Sequence, residues 1–142
     1  MNINKFLLGT LVGGIVYFFL GYLVYGVAMA DFFKNHSMSP AGTMKPMSDI
    51  IWWALILGNL ASGALLTFIF LKLGNVNSFS KGASMGAAIG FFTGLGMDLI
   101  RYATENGLNR RATLVDVLLG VVMTAITGGI IAVVLGMGTK KS

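Results

Sequence analysis

Four stretches of the chain are apolar almost without interruption, at about residues 6–30, 50–71, 82–102 and 114–137. Each is long enough to cross the ~30 Å hydrocarbon core of a bilayer, which takes ~20 residues of α-helix. The apolar positions run continuously instead of alternating, and an open strand would leave its backbone groups unsatisfied in lipid. Helices are therefore expected throughout. The pattern predicts an all-α four-helix transmembrane bundle, one domain over residues 1–142, with both termini on one side of the membrane. The connections are short except for a long first loop at 31–49.

Local signals mark the ends of these runs. Thr113-Leu114-Val115-Asp116 has the spacing of a capping box opening the fourth run. Ser48-Asp49 suits the N-terminus of the second, and Asn106-Gly107 suits a turn between the third and fourth. Pro40 and Pro46 fall in the long loop, where they break no helix. Lys5 followed by an apolar run ending at Ala28-Met29-Ala30 has the outline of a signal peptide. However, the run exceeds the ~7–15 residues of a signal core, so a retained helix is expected.

Composition strengthens the membrane reading. Charged residues make up 11% of the chain, against ~25% in an ordinary soluble domain. Glycine supplies 20 of the 142 residues, about double its usual ~7%. The absence of cysteine excludes disulfides, thiolate metal sites and thiol chemistry, and one histidine cannot form a histidine cluster within a single chain. The net charge of +5 comes from Lys and Arg at the edges of the apolar runs. That is the distribution of interfacial anchors, and it argues against nucleic acid as a partner.

The glycines are ordered. Gly82, Gly86, Gly90 and Gly94 recur every fourth residue in the third run, and Asp98 continues the stripe. The fourth run answers with Gly120, Thr124, Gly128, Ala132 and Gly136, a stripe that Asp116 begins. Spacing of four puts these positions on one slowly drifting helix face, where missing side chains let a second helix approach closely. The stripes can pack helices within the chain or join copies and partners. A weak repeat is visible as well. Phe18-Phe19-x-Gly21 matches Phe91-Phe92-x-Gly94, and Asn59 to Gly63 resembles Thr124 to Gly128. Two helical hairpins of the same orientation would account for both matches, as would chance among glycine-rich runs.

Polar residues at depth are the remaining candidates for chemistry. Asp98 and Asp116 each lie about a turn inside a predicted helix at the same face, with Arg101 three residues beyond Asp98 and Arg110-Arg111 ahead of Asp116. An acid inside the bilayer is unfavourable by up to ~3 kcal/mol, so such residues are paired or functional. Asp98, Arg101, Asp116 and the deeper amide Asn59 form the candidate polar site. It reads either as an ion or proton site or as an interfacial salt-bridge cluster. Ser62, Thr93, Thr124 and Thr127 either bond within and between helices or line a narrow polar path. His36, Met38, Met44 and Met47 suit Cu(I) only weakly, since methionine also fills apolar surface. Phe32-Phe33-Lys34 reads as a segment lying on the interface. No catalytic set, metal centre or cofactor site emerges, and a non-enzymatic protein is expected.

Orientation rests on charge. Lys5, Lys72, Lys81, Lys140 and Lys141 fall on the side of the termini, and Lys34, Lys45, Arg101, Arg110 and Arg111 on the other. All the acids, Asp31, Asp49, Asp98, Glu105 and Asp116, belong to the second side. The positive charges tie, and Lys5 with the purely basic loop around residues 72–81 favours cytoplasmic termini. Trp52, Trp53, Tyr22, Tyr25 and Tyr102 form an aromatic belt near the acid-bearing face.

Three segments together, Leu11-Val12-Gly13-Gly14-Ile15-Val16-Tyr17-Phe18-Phe19-Leu20-Gly21, Trp52-Trp53-Ala54-Leu55-Ile56-Leu57-Gly58-Asn59-Leu60 and Leu114-Val115-Asp116, carry a resemblance. With the glycine stripe between them, they resemble a bacterial family of small four-helix membrane proteins known as a domain of unknown function. The likeness covers about residues 5–137. Many relatives carry Trp-Tyr-Ser-Pro near the end of the first helix. Here only Tyr25 matches, between Val24 and Gly26, which places the chain on a divergent branch. The resemblance implies the fold and a bacterial inner membrane, and no activity. The expectation is a homo-oligomeric or accessory membrane subunit in the bilayer. The alternative is a small ion or solute transporter or channel using Asp98 and Asp116.

Overall fold

A computed structural model of the chain describes residues 1–39 and 44–137. Pro40, Lys140 and Lys141, named above, lie outside the described residues. The order is α1 (Ile3–Gly21), continuing as a π-helical turn at Tyr22–Ala28, then a short α2 (Ala30–Asn35) and a 3-10 turn at Met47–Asp49. Three long helices follow: α3 (Trp52–Leu73), α4 (Phe79–Thr104) and α5 (Arg110–Gly136). The fold is all-α, and four helical segments, Ile3–Ala28, Trp52–Leu73, Phe79–Thr104 and Arg110–Gly136, are long and apolar enough to cross a membrane.

The helix ends differ from several local expectations. Helix α5 begins at Arg110, three residues before Thr113, because Asn109 is its N-cap and accepts a hydrogen bond from the Ala112 amide at 3.0 Å. Thr113 and Asp116 are thus inside the helix and form no capping box. The Thr113 hydroxyl instead donates to the Asn109 carbonyl. Ser48 and Asp49 do not cap α3. They form the 3-10 turn and bond to each other, and Ile51 holds the cap position. Asn2 caps α1, its side chain accepting a hydrogen bond from the Lys5 amide. Helix α3 ends at Gly74, whose φ of 76° is left-handed and readily reached only by glycine. The long loop contains α2, whose Phe33 is buried, so Phe32-Phe33-Lys34 is an ordered helical turn.

Helix α5 is the axis of the molecule. It packs most extensively on α4, and it also meets α1 and α3; α1 in turn packs along α3. The glycines explain the closeness of these pairs. A Cβ at Gly82 would strike the carbonyl oxygen of Gly128 and the Ala132 methyl, and one at Gly86 would strike the Thr124 carbonyl. Gly63 sits the same way against α1, 2.7 Å from the Gly14 nitrogen and 2.8 Å from the Thr10 oxygen for an added Cβ. The sequence stripes thus lie between helices of one chain. They are tight at Gly82, Gly86, Gly90 and Gly128 and loosen toward the acids: Gly94 has only ordinary contact with Val117, and nothing stands within 4 Å of a Cβ at Gly120.

The contacts of the two helix pairs correspond to each other. Gly9 meets Thr67 on α3 as Gly82 meets Ala132 on α5, and Gly63 meets the Gly13 backbone as Gly128 meets Gly86. The matching positions Leu66 and Ile131 are both fully buried, and so are Thr67 and Ala132. This is the geometry of two parallel repeats, α1–α3 and α4–α5, meeting through α3 and α5. The core cluster of Leu66, Phe70, Val76, Ile131, Ala132 and Leu135 is that meeting surface.

The likeness ends at the seams between repeats. The α1–α5 seam is closed, with helices antiparallel and polar ties along its length. Lys5 Nζ donates to the Leu135 carbonyl at 3.1 Å, the Tyr17 hydroxyl reaches toward Thr124, and Tyr25 meets Asp116. A lysine at the C-terminal carbonyls of α5 is also favoured by the helix dipole. The corresponding seam, between α3 and α4, is open, and these two helices barely approach each other.

Candidate functional site

One polar cluster forms at the acid-bearing end of α4 and α5. Asp98, Arg101, Tyr102 and Glu105 recur at helical spacing on one face of α4, and Thr113 and Asp116 face them from α5. Between them is a cleft of about 20 Å³, and ~10–15 Å³ is enough to admit one water. The loosening of the glycine stripe beyond Gly90 lets the two helices part here.

Each charged group has a definite arrangement. The Tyr25 hydroxyl donates to Asp116 Oδ1 at 2.5 Å. Arg101 pairs along its own helix with Glu105, Nε to Oε2 at 3.5 Å, and both side chains are more than half exposed. That pair contributes little to stability. Asp98 lines the cleft, half-buried, and makes no hydrogen bond or ion pair among the described residues. Arg110 and Arg111 are exposed and make no ion pair with Asp116 among the described residues. Asn59 is not part of the cluster. It lies on α3 and donates to the Leu55 carbonyl of its own helix at 2.7 Å.

The long first loop covers this end of the molecule. Met38 N–H donates to the Gly107 carbonyl at 2.7 Å, and Asn109 N–H donates to the His36 carbonyl at 3.0 Å. Gly107 and Leu108 border the cleft, so the strand-like contact between Ser37 and Leu108 ties the loop to the rim. The His36 ring stacks on Phe32 at 4.2 Å between centroids, and its Nδ1 lies 2.8 Å from the Phe32 carbonyl. Phe33 packs on Tyr25, 5.4 Å between centroids. The π-helical turn carries Tyr25 into this position. Its wider winding is marked by the Met29 amide bonding back to Val24, and such turns often occur at functional sites.

Tyr25 is the residue that spacing alone did not bring to the site. As a sequence feature it belonged to the aromatic belt and to the one matching position of the Trp-Tyr-Ser-Pro segment. Its pairing with Asp116 spans most of the chain and has no local signal. Replacing it tests the tie directly. Tyr25→Phe and Asp116→Leu should each lower thermal stability in detergent by about 1 kcal/mol, the usual scale for a hydrogen bond between membrane helices. The double variant should lose scarcely more than either single one. Fully additive losses would show that the two side chains are not coupled.

Residues 8–132 match the family described as protein of unknown function DUF1761. The chain belongs to the DUF1761 family. No curated protein and no solved structure matches it. The DUF1761 match takes in most of α1, all of α3 and α4 and most of α5, including Tyr25, Asp98 and Asp116.

Proposed function

We propose that this DUF1761 protein is a non-enzymatic multipass membrane protein that works by assembly, as a homo-oligomer or as an accessory subunit of a larger membrane complex. The observation that carries this reading is where the polar groups at depth point. Ser62, Thr67, Thr93 and Thr127 each donate to the carbonyl four residues back on their own helix, and Asn59 does the same. Groups turned onto their own backbone are satisfied within a single helix and line no continuous path. The packing glycines support a rigid element of this kind. A bacterial inner membrane with cytoplasmic termini is part of the proposal, resting on Lys5 and the basic α3–α4 loop.

A second reading has one observation in its favour. Asp98 faces a water-sized cleft beside Asp116, with no hydrogen bond or ion pair among the described residues. Such a pair could bind a proton or small cation in a transporter or channel. Native mass spectrometry of the purified protein, followed by proton flux into vesicles, separates the two. Assembly predicts a defined oligomer or a hetero-complex, with flux equal to empty vesicles and unchanged by Asp98→Asn. A monomer, or flux abolished by Asp98→Asn, would overturn it.

A further inference from the structure

An open groove of about 570 Å³ starts at the α3–α4 connection, beside Leu73 and Val76, and continues along α4. We infer that this groove is a binding site for an anionic phospholipid, with the headgroup phosphate at Lys81 and an acyl chain running along α4.

Leu73 and Val76 border its mouth beside Asn75 and Lys81, and Ser84, Met85 and Ala88 continue along α4. At ~1.5 Å per residue, Ala88 lies about 13–14 Å along α4 from its first residue, Phe79. The groove thus starts at headgroup level and reaches well into the hydrocarbon. Ser84 donates to the Ser80 carbonyl, so the deeper of the two hydroxyls presents its methylene to a chain. Lys81 is exposed and makes no ion pair among the described residues.

Charge selects the headgroup. No acid of the chain lies on this side of the bundle, which holds Lys5, Lys72 and Lys81. Lys5 is engaged with the Leu135 carbonyl, and Lys72 lies over the Phe68 ring, 5.7 Å from its centroid. Lys81 is left to face the membrane surface, where an anionic leaflet attracts a lysine. The repeat explains why there is room. The corresponding α1–α5 seam is filled by Tyr17, whereas the matching position in α4 is Gly90, which has no side chain to reach α3.

The test is native mass spectrometry of the full chain in detergent, titrated with phosphatidylglycerol or phosphatidylcholine. The wild type should retain phosphatidylglycerol at least tenfold better, and excess inorganic phosphate should not displace it. Lys81→Gln should reduce the preference below threefold. Ser84→Phe, which blocks the groove without changing charge, should weaken binding of the whole lipid at least fivefold. Lys34→Gln, on the opposite face, should leave both values unchanged. Equal retention of the two lipids, equal losses from Lys81→Gln and Lys34→Gln, full binding by Ser84→Phe, or displacement by phosphate alone would each overturn the site.

Discussion

Gly86→Ala is expected to leave little folded protein, whereas Gly94→Ala, two turns further along the same stripe, should be nearly silent. At Gly86 the added methyl meets the carbonyl of Thr124, part of the α5 backbone, which cannot move without shifting the whole helix. Overpacking of this kind usually costs about 1–3 kcal/mol and more where nothing can yield. At Gly94 the nearest atom is Val117 Cα at 3.9 Å, an ordinary contact, and the change should stay within about 0.5 kcal/mol. Gly82→Ala should behave as Gly86→Ala does. Gly90→Ala should fall between, because it meets the Thr124 side chain first, at 2.7 Å. Yield in detergent and thermal unfolding of the purified variants measure this gradient. A wild-type melting curve for Gly86→Ala would remove the close-packing account.

Phe70→Ala should be the most damaging truncation in the core, and Phe92→Ala the control that costs nothing. Phe70 is 2% exposed at the meeting of the two repeats, its ring against Gly128, while Phe92 is 72% exposed on the outer side of α4. In a membrane, separated helices still keep their side chains in hydrocarbon, so the water-transfer part of the usual penalty drops out. What remains is the cavity, at ~24 cal/mol per Å³ of unfilled space, or about 2 kcal/mol for a ring this size. The expected result is a clear drop in melting temperature for Phe70→Ala with none for Phe92→Ala. Equal effects would mean that the α3–α5 surface does not hold the repeats together.

The different legibility of the parts follows from the range of the forces. The four spans could be read because a bilayer imposes one requirement on every residue of a helix, and continuous apolar runs declare it. Gly82, Gly86 and Gly90 were readable as a packing face because spacing of four is a property of one helix. Asp98 and Arg101 were placed at the same end by the same counting. Their pairing was not readable. Arg101 bonds Glu105 one turn along its own helix, and Asp98 is left in the cleft. The capping box at Thr113 failed because Asn109, four residues earlier, competes for the same helix start.

By itself, the sequence determined the solvent of this protein, its secondary structure class, the side of the membrane on which the acids gather, and the helix faces able to approach closely. Each follows from composition or from a period along a single helix. The tertiary structure alone decided which faces meet. It put Gly82, Gly86, Gly90 and Gly128 between helices of one chain, made α5 the shared axis and closed the α1–α5 seam while leaving α3–α4 open. It also set Tyr25 on Asp116. These choices depend on how unlike surfaces fit across long sequence separations, and backbone contact between helices leaves no periodic trace by which one partner can be told from another.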